Sequence, residues 1–286
     1  MLCFFATDLH GRIDRYEKLW RAAETEMPQA VFLGGDLLPS GTMDFVSSDA
    51  DSDDFVSGYL AAGFWKLRER LKAKYPQIFL ILGNDDRRLE EEAILALAAR
   101  GLWVYVHNRC CEFSRYQVLG YAFVPPTPFL LKDWERYDVS RYVPPGCVSP
   151  EEGLRSVPTP AHAVKFATIQ HDLEQLAASV TLERSILLFH TPPHETKLDR
   201  VANDGKKVDH VPLDLNVGSI AVRRFIEQHQ PLLTLHGHVH ESVRLTGDWK
   251  DRIGRTRLFG GAHDGTELAL VRFDPENLDA ATRELL

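Results

Sequence analysis

The stretch Pro231–His240, PLLTLHGHVH, offers the first chemistry in the chain. Leu232, Leu233 and Leu235 make a short buried strand that runs into Gly237-His238-Val239-His240. In an extended chain residues two apart face the same side, so His238 and His240 project together. Two imidazoles side by side at a strand end offer two nitrogen ligands to a metal ion. They are equally explained as a hydrogen-bonded pair, and the choice turns on whether the rest of the chain supplies further ligands.

It does, at the ends of four more apolar runs. Leu2–Ala6 leads to Asp8 and His10, and Ala30–Leu33 leads to Gly34-Gly35-Asp36. Ile78–Leu82 leads to Gly83-Asn84-Asp85-Asp86, and Ile186–Phe189 leads to His190. Each has an ordinary explanation by itself: Asp8 as a helix cap, the Gly-Asp and Gly-Asn pairs as turns, His190 as a packed histidine. Ligand sites in α/β sheets lie beyond the carboxyl ends of the strands, where the loops converge, and seven such residues favour a common site. The set contains Asp, His and Asn and no Cys, which suits manganese, iron or zinc rather than soft copper. Seven ligands exceed one tetrahedral site and fit two metals sharing a carboxylate, an arrangement suited to phosphoryl displacement. Two divalent cations less Asp8 and Asp36 leave a local charge of about +2, enough to attract phosphate.

The elements that must position these residues alternate in type. Ile13, Tyr16, Trp20 and Ala23 recur at helical spacing, and Leu60, Phe64, Leu67 and Leu71 do so after an acidic loop (Asp44, Asp49, Asp51, Asp53, Asp54). Further helices are expected near 90–100, near 164–179 and after Gly218-Ser219. Strands are expected near 102–106, 118–124, Val243, Leu258 and 268–273. Between 125 and 160 prolines crowd in among Phe129, Lys132, Trp134, Arg136 and Tyr137, which reads as a long irregular excursion. No repeat or linker interrupts 1–286, so one domain is expected.

Composition limits the partners. The chain has 286 residues, 44% hydrophobic and 26% charged, with a net charge of −8. That charge argues against general binding of nucleic acid or anionic membranes. Cys3, Cys110, Cys111 and Cys147 show no CxxC spacing, so reduced thiols in a cytoplasmic protein are expected. The apolar N-terminus lacks a basic region and meets Asp8 early, so it reads as a strand, not a signal peptide, and no run reaches membrane-spanning length.

Taken in order, DLH at Asp8–His10, GD at Gly35-Asp36, GND at Gly83–Asp85, the lone His190 and GHVH at Gly237–His240 resemble the calcineurin-like metallophosphoesterase superfamily. The resemblance implies a four-layer α/β/β/α sandwich of two mixed β-sheets flanked by helices. It implies one metal on Asp8, His10, Asp36 and His240 and a second on Asp36, Asn84, His190 and His238, with Asp36 bridging. The implied activity is hydrolysis of a phosphodiester or phosphomonoester by a metal-bridging hydroxide. The two divalent ions are expected to be manganese first, with iron, zinc or nickel as alternatives.

The sequence departs from the family at Asp85, where many members carry a His that contacts phosphate and assists the leaving group. Three readings stay open: a structural Asp85 with the acid supplied elsewhere (His194 or His171), a substrate whose leaving group needs no proton, or low activity. Asn84, Asp85 and Arg87 are the residues expected at the phosphate, Arg87 as a fork donor. Lys132, Trp134, Arg136 and Tyr137 are expected either as a lid whose rings stack on a base or other ring, or as a satellite packing cluster. His263 is placed near a strand end without a role. The expected partner is a small phosphate ester, of nucleotide type if the lid stacks on a base. The rival reading is a non-catalytic metal-binding scaffold of the same fold.

Overall fold

Short runs of Phe, Val, Ile and Leu form the central strands, because a parallel strand covered on both faces has no side to expose. The computed structural model describes residues 1–40, 55–178 and 180–286. In it β1 (Cys3–Ala6), β2 (Ala30–Gly34), β3 (Gln77–Ile81) and β4 (Val104–Tyr105) run parallel. They alternate with α1 (Ile13–Glu26), α2 (Ala61–Leu71) and α3 (Glu91–Ala99). The chain then builds β5 (Cys110–Phe113) and β6 (Tyr116–Tyr121), helices α4 (Ala161–Phe166) and α5 (Ile169–Ala177), and β7 (Ser185–Phe189). A small hairpin, β8 (Lys207–Val208) and β9 (Val211–Pro212), precedes α6 (Ile220–His229) and β10 (Leu233–His236). Last come α7 (Ser242–Thr246), β11 (Lys250–Ile253), β12 (Thr256–Gly260), β13 (Ala269–Phe273) and β14 (Thr282–Leu285).

Two mixed six-stranded sheets result, in the orders β14-β13-β1-β2-β3-β4 and β11-β12-β10-β7-β6-β5, flanked by helices as the family resemblance implied. Register aligns Phe5, Phe32 and Phe79 across the first sheet. Phe32 stacks on Phe79 at 5.2 Å, and Phe113 of the second sheet meets both edge-on. Offset and edge-to-face rings stabilise such a sheet-to-sheet interior beyond their burial alone. Since β1, β2 and β3 are parallel to one another, as are β6, β7, β10 and β12, the carboxyl ends within each sheet open together.

Several local expectations need correction. Val243 lies in α7, which ends on Gly247 in the left-handed region (φ 78°); the nearby strand is β11. β14 was missed because TREL is a mostly exposed edge segment with no apolar run. The expected 164–179 helix divides at Ala167, where Thr168 caps α5 by accepting from the His171 N–H. Ile13 is 53% exposed, so α1 buries Tyr16, Leu19 and Ala23 with Arg15 instead. The acidic residues Asp44 to Asp54 lie outside the described residues.

The segment 125–160 is irregular as expected, and of the two readings of Lys132, Trp134, Arg136 and Tyr137, as lid or as packing cluster, the structure shows packing. Trp134 has no exposed surface and packs on Phe123 at 5.4 Å and His107 at 5.1 Å. Lys132 is equally enclosed; its Nζ donates to Glu135 at 2.5 Å and to the Thr127 carbonyl at 2.9 Å. Arg136 lies 4.0 Å over the Phe123 ring and pairs with Asp172, and Tyr137 is buried with its hydroxyl 2.8 Å from Glu151. None of the four is free to stack on a substrate. Beyond them, Asp138 accepts from the Ile220 and Ala221 N–H groups and the Ser219 hydroxyl, fastening the excursion to the start of α6.

A buried ion pair is costly to break from one side only. Lys132→Met should therefore lower the unfolding free energy by about 3 kcal/mol. Lys132→Met combined with Glu135→Leu should recover most of that loss in urea titrations. An additive pair of losses would show that the ion pair is not what anchors the arm.

Candidate metal centre

All seven residues read from the sequence meet where the two sheets open. Asp8, His10, Asp36 and His240 each place one donor atom within 4.8 Å of the others. His10 Nε2 lies 3.2 Å from His240 Nε2 and 4.0 Å from Asp36 Oδ2. On the other side of Asp36, its Oδ2 is 3.2 Å from His190 Nε2, which also lies 3.1 Å from Asn84 Oδ1. The His190 and His238 rings are 5.3 Å apart. Asp36 thus stands between two groups of donors.

The backbone that achieves this is unusual. Asp8 (φ 55°), His10 (48°), Asp36 (51°) and His238 (71°) all take left-handed conformations, which cost non-glycine residues about 1–2 kcal/mol. Strand alternation does not explain His238 and His240, because β10 has ended at His236 and a left-handed residue turns the chain. Loop-to-loop bonds hold the strained residues. Asp8 N–H donates to Gly35 O at 2.9 Å, and His10 N–H donates to Asp36 O at 2.8 Å. His190 donates from Nδ1 to Gly34 O at 2.8 Å, and the His238 N–H donates to Asp8 Oδ1 at 3.1 Å, so each sheet grips the other. Two glycines leave room for this contact. Gly35 has φ 97° and a Cβ there would lie 2.6 Å from His190 Nδ1, while one at Gly237 would lie 2.7 Å from Asp8 Oδ2.

Electrostatics follow from burial. Desolvation would raise the Asp36 carboxyl, but His190, then His10 and the Asp85 N–H, outweigh it and hold Asp36 well below the usual range. Asp8 is likewise lowered: burial opposes, but the hydrogen bond and charge of His240 prevail. Burial would depress His10 and His190, yet Asp85 raises the first to about 9 and Asp36 raises the second to about 9. Burial, helped by the charge of His190, pushes His238 down to about 3. Burial is thus compatible with ionised carboxylates only because imidazoles stand beside them. Hard oxygen and imidazole donors converging on one point suit divalent Mn, Fe or Zn, which would take the place of the protons the imidazoles carry without metal.

The remaining expected residues divide. Asp85 Oδ2 accepts from His10 Nδ1 at 3.1 Å, and its Oδ1 accepts from the Ser40 hydroxyl at 3.0 Å. Arg87 Nη2 is 3.4 Å from Glu90. His171 contacts Gln175 on the surface of α5, and His263 contacts Glu267 at 3.1 Å within its own loop. His194 lines a cavity that reaches His238.

Two supporting residues were missed. Asp86 is fully buried and accepts from the N–H groups of Leu37, Leu38 and Gly83, tying the loop after β2 to that after β3. Arg15 is buried on α1 and donates to the carbonyls of Asp8, Gly265 and Thr266. A second Asp after Asn84 was a visible signal for the first; for Arg15 an arginine on the apolar face of a helix was the only one.

No curated protein matches the chain. Among solved structures it is similar to TT1561 of Thermus thermophilus, at 16% identity and TM-score 0.56, covering 99% of this chain and 98% of that one. It is also similar to a dimetal phosphatase from Danio rerio, at 16% identity and TM-score 0.52, covering 95% and 91%. These likenesses concern the fold. The calcineurin-like phosphoesterase family model matches residues 1–242, well over half the chain, and the chain therefore belongs to the calcineurin-like phosphoesterase family.

Proposed function

We propose that this protein is a two-metal hydrolase of small phosphate esters, with Asp8, His10, Asp36 and His240 holding one ion and Asp36, Asn84, His190 and His238 the other. The observation that carries this reading is the convergence of the first four on one point, with Asp36 turned to His190 and Asn84 on its far side. Divalent ions bound there supply positive charge for the phosphoryl group and hydroxide at neutral pH. The chain's own part is to aim the donors. His190 is fixed by donating from Nδ1 to Gly34 O, which leaves Nε2 facing Asp36 and Asn84. His10 is fixed the same way by Asp85, which leaves its Nε2 facing His240. A carboxylate behind a ligating imidazole sets its tautomer and strengthens it as a ligand. We therefore assign Asp85 to orienting His10 rather than to donating a proton.

Manganese remains the first expectation and the partner a small ester rather than nucleic acid. All four cysteines are free, which fits the proposed cytoplasmic location. Among the described residues no helix is long and apolar enough to cross a membrane. The scaffold reading, suggested by Asp85 standing in place of His, predicts the same metal content and no turnover.

Purified protein should carry about two transition-metal ions per chain by elemental analysis and cleave an activated aryl phosphodiester with added manganese. Asp36→Ala and Asn84→Ala should each abolish that turnover while the chain stays folded by circular dichroism, with the melt lowered for Asp36→Ala, which leaves His190 without its buried partner. Full activity in both variants removes the proposal, and metal binding without turnover of any phosphodiester, monoester or nucleotide favours the scaffold. Asp85→Ala should weaken metal affinity about 10–100-fold, with Asp85→Asn restoring much of it. Unchanged metal affinity together with a lost limb of the pH–rate profile would make Asp85 an acid after all.

A further inference from the structure

Beside the metal centre lies a cavity of about 700 Å³ whose occupant the donor cluster does not explain. One wall is the excursion, contributing Pro126, Pro128, Phe129, Tyr142 and Pro144; the facing wall is the segment around Val211 and Val217; His238 and Val239 border it. Its size suits a whole small-molecule substituent. Two features of the lining define what fits. Phe129 and Tyr142 are 56% and 67% exposed although they are large aromatic groups, so most of each ring meets no packing partner among the described residues. Among the described residues no lysine or arginine lines the cavity, whereas Asp138, Asp214 and Glu241 do.

A second phosphate placed there would meet the carboxylates of Asp214 and Glu241 with no lysine or arginine beside them, His194 already lying 3.6 Å from Asp214. An uncharged apolar body would instead cover the exposed rings and prolines, and prolines hold such a wall in shape without an ordering cost on binding. Continuity with His238 puts this space next to the proposed ions and not on a remote face. We propose that the cavity is the subsite for the organic group of the ester, and that the substrate is a phosphate ester bearing an apolar aryl or alkyl group and no further phosphate. This rests on the phosphoesterase reading and narrows it away from nucleoside polyphosphates. The excursion thus contributes to specificity, through Phe129 and Tyr142 rather than through the enclosed Lys132, Trp134, Arg136 and Tyr137.

The test compares diesters with one common leaving group. With manganese-loaded full-length protein, bis(para-nitrophenyl) phosphate should exceed methyl para-nitrophenyl phosphate in kcat/KM by roughly 10–100-fold, the scale of burying one ring. Phe129→Ala combined with Tyr142→Ala should bring that ratio down to the one the two diesters show with hydroxide in the absence of protein. Hexyl para-nitrophenyl phosphate distinguishes the two sources of apolar group: a rate above the aryl diester selects an alkyl ester, a rate below it an aromatic one, and either above the methyl compound supports the subsite. A parallel arm needs no turnover. Anisole, an uncharged aromatic probe, should bind metal-depleted protein by saturation-transfer NMR, and the double variant should lose that signal. Equal kcat/KM for methyl, aryl and hexyl esters overturns the subsite and leaves the phosphoesterase standing. No turnover of any ester overturns the phosphoesterase, and the NMR arm then decides the cavity, with absent binding overturning it too.

Discussion

Asp36 is a carboxylate with almost no exposed surface, placed where two sheets meet, and its charge must be answered from both sides. Burying an ionised carboxylate without partners is prohibitively costly, so such a group survives only when donors are brought to it. His190 reaches it from the second sheet, and His10 and the Asp85 N–H reach it from loops of the first. His10, Asp36 itself, Asp8 and His238 take left-handed conformations, and loop-to-loop hydrogen bonds hold them. The buried Asp86, which gathers three N–H groups from two loops, and the buried Arg15, which takes three carbonyls, are the supports such strained loops require. Strain at the donors and bonding behind them belong to one arrangement.

This explains why the site was legible in the sequence. Apolar parallel strands announce themselves as continuous runs, and the residues after them must face the same end of the sheet, so Asp8, His10, Asp36, Asn84, His190, His238 and His240 could be collected without knowing any distance. What the alternation of a strand could not supply was the local path. His238 and His240 were read as an extended pair, but β10 stops two residues before His238, and it is a positive φ that presents the ring. Edge elements were the least readable. The segment TREL of β14 carries no apolar signature because its faces are solvated, and Val243, apolar in isolation, belongs to a five-residue helix.

The excursion shows a different limit of sequence reading. Charged and aromatic residues in a proline-rich loop suggest exposure, yet Lys132 and Trp134 are enclosed completely. Lys132 tolerates this because Glu135, three residues on, and a carbonyl satisfy its ammonium, a pairing whose closure depends on an irregular turn that no helical or strand period describes. Residues with the same composition, Phe129 and Tyr142, point into open space. Composition told that the segment was ordered; only the fold could tell which of its rings were spent on anchoring.

The distribution of charge then assigns work to the two halves of the site. The cavity wall brings carboxylates and apolar groups and contributes no cation of its own among the described residues. On the proposed reading, attraction for phosphate comes from the ions held by the donor cluster, while the wall selects by shape and apolar contact. A net charge of −8 disfavours polyanions such as nucleic acid in general. On the proposed reading, a single phosphate on an apolar body places its charge at the bound ions and its body against proline and aromatic carbon. Moving positive charge into the wall would broaden what the site admits.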